Sequence, residues 1–219
     1  MNKTPEILLV PHYWEQAKAE LMKRDRILRK LIPKFGDLHL VGRGDPFITL
    51  ARAIVGQQIS VKAAQSVWER LVVTVPRLSP NTVQKAGLEK LASCGVSKRK
   101  AEYLTDLARH FLDGSVHEKD WSSMHDEDVI AELVQIRGIG RWTAEMFLMF
   151  HLMRRNVLPL DDIGLINGIS RNSFGGNWHD TCIRVFTLAS RKRRFQNSEK
   201  TCDPWWHWRI FRRHIIKFN

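Results

Sequence analysis

Apolar residues recur every three or four positions along most of this chain, which is the spacing of one face of an α-helix. Residues 126–136 show the pattern clearly, because Val129, Ile130, Leu133 and Ile136 fall on one stripe between polar and charged positions. The longest strand-like run is RLVVTV, at residues 70–75. The pattern therefore predicts an all-α protein of roughly ten helices.

Residues that start and end helices punctuate this pattern. Ser and Asp side chains accept hydrogen bonds from the first amides of a helix, and proline suits the first helical position. Glycine just after the last turn favours a helix end. The predicted starts are Asp45–Pro46, Ser60 and Ser79–Pro80, and the predicted ends are Gly95 and Gly114.

The stretch QIRGIGRWTAEMF, residues 135–147, joins the end of one predicted helix to the start of another through two glycines. Gly138 and Gly140 allow backbone conformations closed to other residues, and Ile139 between them can pack back against both helices. The second helix then starts at Arg141 with its first amides unpaired, at the positive end of the helix dipole. Such an end can bind a phosphate, and an ordinary interhelical turn is the alternative.

The stretch VLPLDDIGLINGIS, residues 157–170, places two acids before a further predicted helix. Asp162 is well placed to be the N-cap of that helix, and Asp161 adds a favourable charge beside it. A carboxylate in this position can also stabilise a developing cation and orient a water molecule for attack. The residues alone leave both interpretations open.

The net charge and the composition of the chain indicate which kind of molecule it binds. Lys and Arg number 35 against 23 acids, which gives a formal charge of +12. Such an excess favours a polyanion, nucleic acid before a membrane, because each phosphate contact releases condensed counterions. No apolar run approaches the ~18 residues that span a bilayer, and no secretory signal is visible. We therefore expect a cytoplasmic protein, located at the bacterial nucleoid.

The three cysteines, Cys94, Cys182 and Cys202, are widely scattered along the chain. Their spacing argues against a disulfide framework and against a zinc site built on a Cys-x-x-Cys pair. An ordinary iron–sulfur cluster needs four clustered cysteines. We therefore expect no iron–sulfur cluster and no required cofactor.

A third string, ARAIVGQQISVKAAQSVWERL at residues 51–71, joins the two motifs. Together the three resemble the helix-hairpin-helix superfamily of DNA glycosylases, specifically its 3-methyladenine DNA glycosylase II (AlkA-like) branch. The resemblance implies an all-α, two-lobed fold with a DNA-binding cleft between the lobes. It predicts a glycosylase domain at residues 1–175, with the hairpin at 133–145, and a C-terminal helical segment at 176–219 that diverges from the family pattern.

The resemblance also implies an activity and an active site. Asp162 matches the catalytic acid of the family, and the position of Trp142 holds a Schiff-base lysine in members that also cleave the DNA backbone. An indole cannot form a Schiff base, so the chain is expected to be monofunctional. Trp142, with Met146 and Ile163, would contact the flipped base, an alkylated purine such as 3-methyladenine or 7-methylguanine. Hydrolysis of its N-glycosidic bond would leave an abasic site.

DNA contacts follow from the same resemblance. Gln58 matches the family position whose side chain fills the space left by the flipped base, with Gln57 as the alternative. The hairpin residues expected to grip phosphates are Gly138, Ile139, Gly140, Arg141 and Thr143. The backbone carbonyls of Val134, Ile136 and Gly138 are expected to hold a structural metal ion, as in some family members.

The expected partner is double-stranded DNA containing alkylated bases, bound by a monomer and without a membrane. Two other functions remain open. One is a noncatalytic helix-hairpin-helix DNA-binding protein, and the other is a mismatch or oxidised-base glycosylase. The missing cysteine cluster and Trp142 argue against the second of these.

Overall fold

A computed structural model describes residues 10–42 and 44–173 of the chain, and the predicted C-terminal segment 176–219 lies outside them. Every regular element within these ranges is helical, which confirms the all-α prediction. The helices are α1 (Trp14–Arg24), α2 (Arg26–Leu31), α3 (Pro46–Gly56), α4 (Val61–Thr74), α5 (Pro80–Ser93), α6 (Lys98–Leu112), α7 (Asp126–Leu133), α8 (Arg141–Phe150) and α9 (Ile163–Ser173), with a 3₁₀ turn at Ile32–Phe35.

The described residues divide into two compact units. Residues 41–154 belong to the first unit, and residues 10–40 and 155 onward belong to the second. The first unit therefore contains α3 to α8, and the second contains α1, α2 and α9. Within the described ranges, no helix combines the length and the apolar character needed to cross a membrane.

The helix starts predicted from the sequence are confirmed by their hydrogen bonds. The Asp45 carboxylate accepts the Ile48 amide at 2.8 Å, with Pro46 as the first residue of α3. Ser60 and Ser79 cap α4 and α5 in the same way. The strand-like run at 70–75 is helical as far as Thr74, with Leu71 on the buried face of α4 and Val73 exposed on the opposite side.

The N-terminal amphipathic segment, residues 13–32, has the apolar spacing of one helix but forms two. It breaks at Asp25, whose side chain accepts the amides of Ile27 and Leu28 at 2.7 and 2.8 Å. Asp25 adopts an extended backbone conformation and is almost completely buried. An Asp side chain competes with helical hydrogen bonding in this way, so a new helix, α2, starts immediately afterwards.

An aromatic cluster packs the first unit around α8. Phe47 of α3, Phe111 of α6, Trp121 and Phe147 of α8 make successive edge-to-face contacts, with ring centroids 5.2–6.1 Å apart. Edge-to-face geometry is the favoured arrangement for buried aromatic rings. The cluster therefore fixes α8, and with it the turn that precedes it, against two other helices.

The loop between α6 and α7 is held by one carboxylate. Glu132 of α7 accepts the Trp121 indole N–H at 2.5 Å and the His117 amide at 3.2 Å, and it also bonds the His117 ring. The carboxylate beside it raises the pKa of His117. Since Trp121 belongs to the aromatic cluster, Glu132 ties the loop to the core.

We expect this pair to give the protein a measurable pH dependence. A histidine whose pKa is raised by folding stabilises the folded state while it is protonated, so its contribution is complete below about pH 6.5 and is lost as the pH rises through the folded value. The difference in unfolding free energy between the wild type and His117→Gln should therefore shrink between pH 6 and pH 9. Urea unfolding across this range measures it, and a constant difference would contradict the expectation.

Candidate functional site

The glycine-bent hairpin predicted from the sequence is present in the first unit. It runs from the end of α7 at Leu133 to the start of α8 at Arg141. Gly138 has φ +87°, in the left-handed region, and Ile139 is only 4% exposed. Gly140, which has no side chain, is the N-cap of α8. The first amides of α8 are therefore left without a side-chain cap from the preceding residue, as a phosphate-binding helix end requires.

The two glycines of the hairpin serve different purposes. A Cβ added to Gly138 would lie 2.2 Å from Cδ2 of Tyr103 on α6, so this glycine allows an internal close approach. An added Cβ at Gly140 would meet nothing within 4 Å among the described residues. Gly140 therefore leaves open space at the start of α8, where another molecule can approach.

Two long-range hydrogen bonds hold the hairpin turn in place. The Arg137 amide donates to the Asp106 carboxylate at 2.9 Å, and the Gln57 side chain donates to the Gly138 carbonyl at 2.8 Å. Burial acts to raise the pKa of Asp106, but the Arg137 amide and the Arg109 guanidinium outweigh it and lower that pKa. The turn is thus anchored to α6 and to the loop after α3.

The Arg141 side chain is engaged by carboxylates. Its guanidinium makes two hydrogen bonds to Glu127 at 2.8 and 2.5 Å, and its Nε donates to Glu145 at 3.1 Å. The hydrogen bond to Glu127 raises the pKa of Arg141. Arg141 therefore links the first turn of α7 to α8, and what it offers a phosphate is its backbone amide in the first turn of α8. Its role in DNA binding stays a prediction.

Trp142 lies on the first turn of α8 and is 43% exposed. Its indole is therefore not part of the buried core. Thr143 and Ala144 are buried, so Thr143 can offer DNA only its backbone. Met146, four residues after Trp142 and hence on the same helix face, is partly buried.

Gln57 and Gln58, in the loop between α3 and α4, have different side-chain environments. The Gln57 side chain is turned inward onto the Gly138 carbonyl. Gln58 is exposed and has φ +56°, a conformation that is uncommon for residues other than glycine. This geometry favours Gln58 over Gln57 as a residue that can reach into a duplex.

Lys100 and Tyr103 of α6 are the site residues that sequence reasoning missed. The Lys100 ammonium donates to the carbonyls of Val55 and Gln57 at 2.8 and 2.7 Å, and burial lowers its pKa. The ring of Tyr103 lies directly against Gly138. Their only sequence signal is a position on the predicted helix α6, since nothing local indicates which distant loop they contact.

The predicted metal site depends on backbone carbonyls of the hairpin. The Ile136 carbonyl accepts the Ile139 amide at 3.0 Å, and the Gly138 carbonyl accepts the Gln57 side chain. A metal ion would have to share these oxygens or displace those donors, and the site at Val134, Ile136 and Gly138 stays a prediction. Within the described residues, no group of three or more His, Cys, Asp and Glu side chains is arranged to hold a metal.

Asp162 lies in the second unit, at the start of α9. Its Oδ1 accepts the Leu165 amide at 2.7 Å, which confirms the N-cap prediction. Asp162 is partly buried, whereas Asp161 is exposed and Ile163 is 66% exposed. The N-cap bond holds the Asp162 carboxylate at the start of α9, and its catalytic role stays a prediction.

Two helices that meet at a Gly-Ile-Gly turn, with an open helix N-terminus behind the turn, define a helix-hairpin-helix protein. The sequence profile of the HhH-GPD superfamily of base excision DNA repair proteins matches residues 51–188. This range contains the hairpin, both glutamines of the α3–α4 loop, and Asp162. The chain belongs to this superfamily.

Similar proteins of known structure have the same fold. A DNA-3-methyladenine glycosidase from Bacillus halodurans superposes with a TM-score of 0.67 at 32% identity, covering 78% of this chain and 81% of that one. The 3-methyladenine DNA glycosylase of Schizosaccharomyces pombe, solved in complex with abasic DNA, superposes with a TM-score of 0.64 at 26% identity. That superposition covers 89% of this chain and 95% of the S. pombe protein.

The curated relatives are longer than the part this chain matches. DNA-3-methyladenine glycosylase 1 of S. pombe is 32% identical over 145 residues, which cover 64% of each chain. The matches to a putative Bacillus subtilis DNA-3-methyladenine glycosylase and to the Saccharomyces cerevisiae enzyme each cover 46% of the relative. The chain thus spans about half to two thirds of the length of these three relatives.

Proposed function

We propose that this chain is a monofunctional DNA N-glycosylase that removes alkylated purines, 3-methyladenine and 7-methylguanine, from double-stranded DNA in base excision repair. It hydrolyses the N-glycosidic bond and leaves an abasic site. The observation that carries the proposal is the exposed indole of Trp142, next to the open start of α8 in the hairpin. The names of the similar proteins, 3-methyladenine glycosylases from bacteria and yeasts, support the same substrate class.

Asp162 supplies the chemistry in this proposal. An alkylated purine carries a positive charge and is already a good leaving group, so the enzyme needs little general-acid catalysis. Its task is to stabilise the positive charge that develops on the sugar as the bond breaks, and to place a water molecule. The N-cap bond to Leu165 fixes one carboxylate oxygen at the start of α9, which supports a preorganised role of this kind.

Trp142 recognises the base in this proposal. The electron-rich face of an indole attracts an electron-poor, cationic ring, and stacking on it does not depend on the hydrogen-bonding edge of the base. Met146 follows on the same face of α8, and Ile163 adds an exposed apolar side chain beside Asp162. Stacking on one aromatic side chain suits a set of related alkylated purines rather than a single base.

Backbone amides of the hairpin and the net positive charge of the protein bind the DNA in this proposal. The amides of Gly140, Arg141 and Thr143 at the start of α8 face a phosphate, and Gln58 fills the space that the flipped base leaves. The formal charge of +12 attracts the duplex from a distance. The protein acts as a monomer, without a required cofactor or an iron–sulfur cluster, in the cytoplasm at the nucleoid.

One assay tests the proposed function. The full chain is incubated with duplex DNA treated with a methylating agent, and the released bases are identified by chromatography. Release of 3-methyladenine and 7-methylguanine supports the proposal. DNA binding without release would assign the chain to noncatalytic DNA-binding proteins, and release of oxidised or mismatched bases instead would assign it to another branch.

We expect Trp142→Ala to reduce release of 7-methylguanine by roughly 10- to 100-fold, because base–aromatic stacking contributes about 1–3 kcal/mol per base. Trp142→Phe should retain much of the activity, since it keeps an aromatic face. Single-turnover base release measures both variants.

Borohydride reduction during turnover should trap no covalent protein–DNA adduct, and an adduct would contradict the monofunctional mechanism.

A further inference from the structure

Lys100 joins helix α6 to the loop that carries Gln58. Its ammonium group donates to the carbonyls of Val55 and Gln57, at 2.8 and 2.7 Å. Val55 is in the last turn of α3, and Gln57 follows the helix end. A lysine that caps a helix C-terminus commonly bonds the last helical carbonyls. Here the second bond goes to a residue beyond the helix, directly before the left-handed Gln58.

Gln57 joins the same loop to the hairpin. Its side-chain amide donates to the Gly138 carbonyl at 2.8 Å, and these residues are 81 positions apart in the sequence. The Gln57 backbone is therefore held by Lys100 while its side chain is held by the hairpin. This arrangement is more than a helix cap, because it connects two loops that the proposed function assigns to the same DNA lesion.

The conformation of Gln58 needs support of this kind. A residue other than glycine at φ +56° is strained, and such strain persists only where the surrounding structure holds the backbone in place. The Gln58 side chain is exposed, so its own packing contributes little. The support comes from Gln57, whose carbonyl accepts a hydrogen bond from Lys100 and whose side chain donates one to Gly138.

We propose that Lys100 and Gln57 are positioning residues that hold the Gln58 turn in a fixed position against the Gly138–Gly140 hairpin. We call the hydrogen bonds made by these two side chains the lock. The side chain that enters the duplex and the backbone that grips the phosphate then keep a fixed spacing. This inference rests on the proposed function, in which both loops act on one lesion. Without the lock, the loop would have to be ordered when DNA binds, and that cost would reduce insertion of Gln58.

Fluorescence of 2-aminopurine tests the lock. The probe is a duplex with a tetrahydrofuran abasic analogue and 2-aminopurine as the opposite base, whose fluorescence rises when it is unstacked. Wild-type protein should raise the signal at saturation, and Gln58→Ala should abolish the rise. Lys100→Met and Gln57→Met should each lose most of it, whereas Lys100→Arg, which can still donate to two carbonyls, should retain it.

A matched control separates positioning from charge. Lys98→Met removes the same charge from the same helix at an exposed position, and it should leave the signal unchanged. The affinity for the same duplex is also measured by fluorescence anisotropy, and in the background of Gln58→Ala, Lys100→Met should produce no further loss of affinity, because both act through one side chain. A normal signal from Lys100→Met and Gln57→Met would overturn the proposal, as would an additive loss in the double variant or no signal from the wild type.

Loss of folding and loss of chemistry are both distinguishable from loss of the lock. Thermal unfolding checks each variant, and if Lys100→Met does not fold, Gln57→Met still breaks the link to Gly138 while leaving the Lys100 bonds in place. The probe duplex has no base to release, so its signal is independent of glycosidic cleavage. A wild type that releases no methylated base but gives a Lys100-dependent signal would refute the proposed chemistry and leave the lock supported.

Discussion

Asp162→Asn should reduce release of methylated purines by roughly 10²–10³-fold while DNA binding remains close to wild type. The substitution removes the negative charge that stabilises the developing cation, yet asparagine is as good an N-cap as aspartate. Helix α9 should therefore still start at Ile163, with the Leu165 amide bonded to the new side chain. Single-turnover release of 7-methylguanine measures the chemistry, and fluorescence anisotropy with a labelled duplex measures binding.

Two further variants make the Asp162 result specific. Asp161→Asn removes the neighbouring, exposed carboxylate and should leave base release near wild type. Asp162→Ala should lose base release and also about 1 kcal/mol of stability, because alanine cannot cap the helix. If Asp162→Asn retained full activity, or if Asp161→Asn lost as much activity as Asp162→Asn, the assignment of the catalytic carboxylate would be wrong.

Gly138→Ala should destabilise the first unit by about 2–5 kcal/mol. An alanine at φ +87° carries a left-handed backbone penalty of roughly 1–2 kcal/mol. Its Cβ would also lie 2.2 Å from the Tyr103 ring, and moving a packed aromatic ring typically costs about 1–3 kcal/mol more. The hairpin would shift, so DNA binding should weaken in parallel. Urea unfolding followed by circular dichroism gives the change in unfolding free energy.

Gly140→Ala is the control for this prediction. Gly140 has φ −94°, which any residue adopts, and an added Cβ there has open space among the described residues. Its effect on stability should be about 1 kcal/mol, the typical cost of an alanine at an N-cap, and so smaller than the effect of Gly138→Ala. Equal destabilisation by the two alanines would show that the contact with Tyr103 does not determine the need for glycine at position 138.

The helix starts and the hairpin could be predicted from the sequence because their causes are local. Asp45, Ser60 and Ser79 each accept a hydrogen bond from the amide three residues further along, so a short stretch of sequence is enough to predict them. Gly138 has a positive φ and Ile139 is buried, as the residue types at these two positions indicate. Asp162 is the N-cap that its place before an apolar run predicts.

The partners of the hairpin could not be predicted, because they come from distant parts of the chain. Nothing near Lys100 indicates that it bonds carbonyls more than 40 residues earlier, and nothing near Tyr103 indicates a ring lying against Gly138. The same holds for Glu127, which binds Arg141 across the hairpin. Periodicity assigns a residue to a helix face, whereas these contacts depend on which helix lies opposite.

The pairing of Arg141 with Glu127 and Glu145 has an electrostatic consequence for a surface that must meet a polyanion. Two carboxylates close to the start of α8 would repel the DNA backbone, and the planar guanidinium cancels part of that repulsion by bonding both. A lysine would carry the same charge but lacks the fork that spans two acids. Arginine at this position therefore acts as a local counterion. Because it neutralises part of the charge of the two acids, they weaken the attraction between the α8 N-terminus and a phosphate less than they otherwise would.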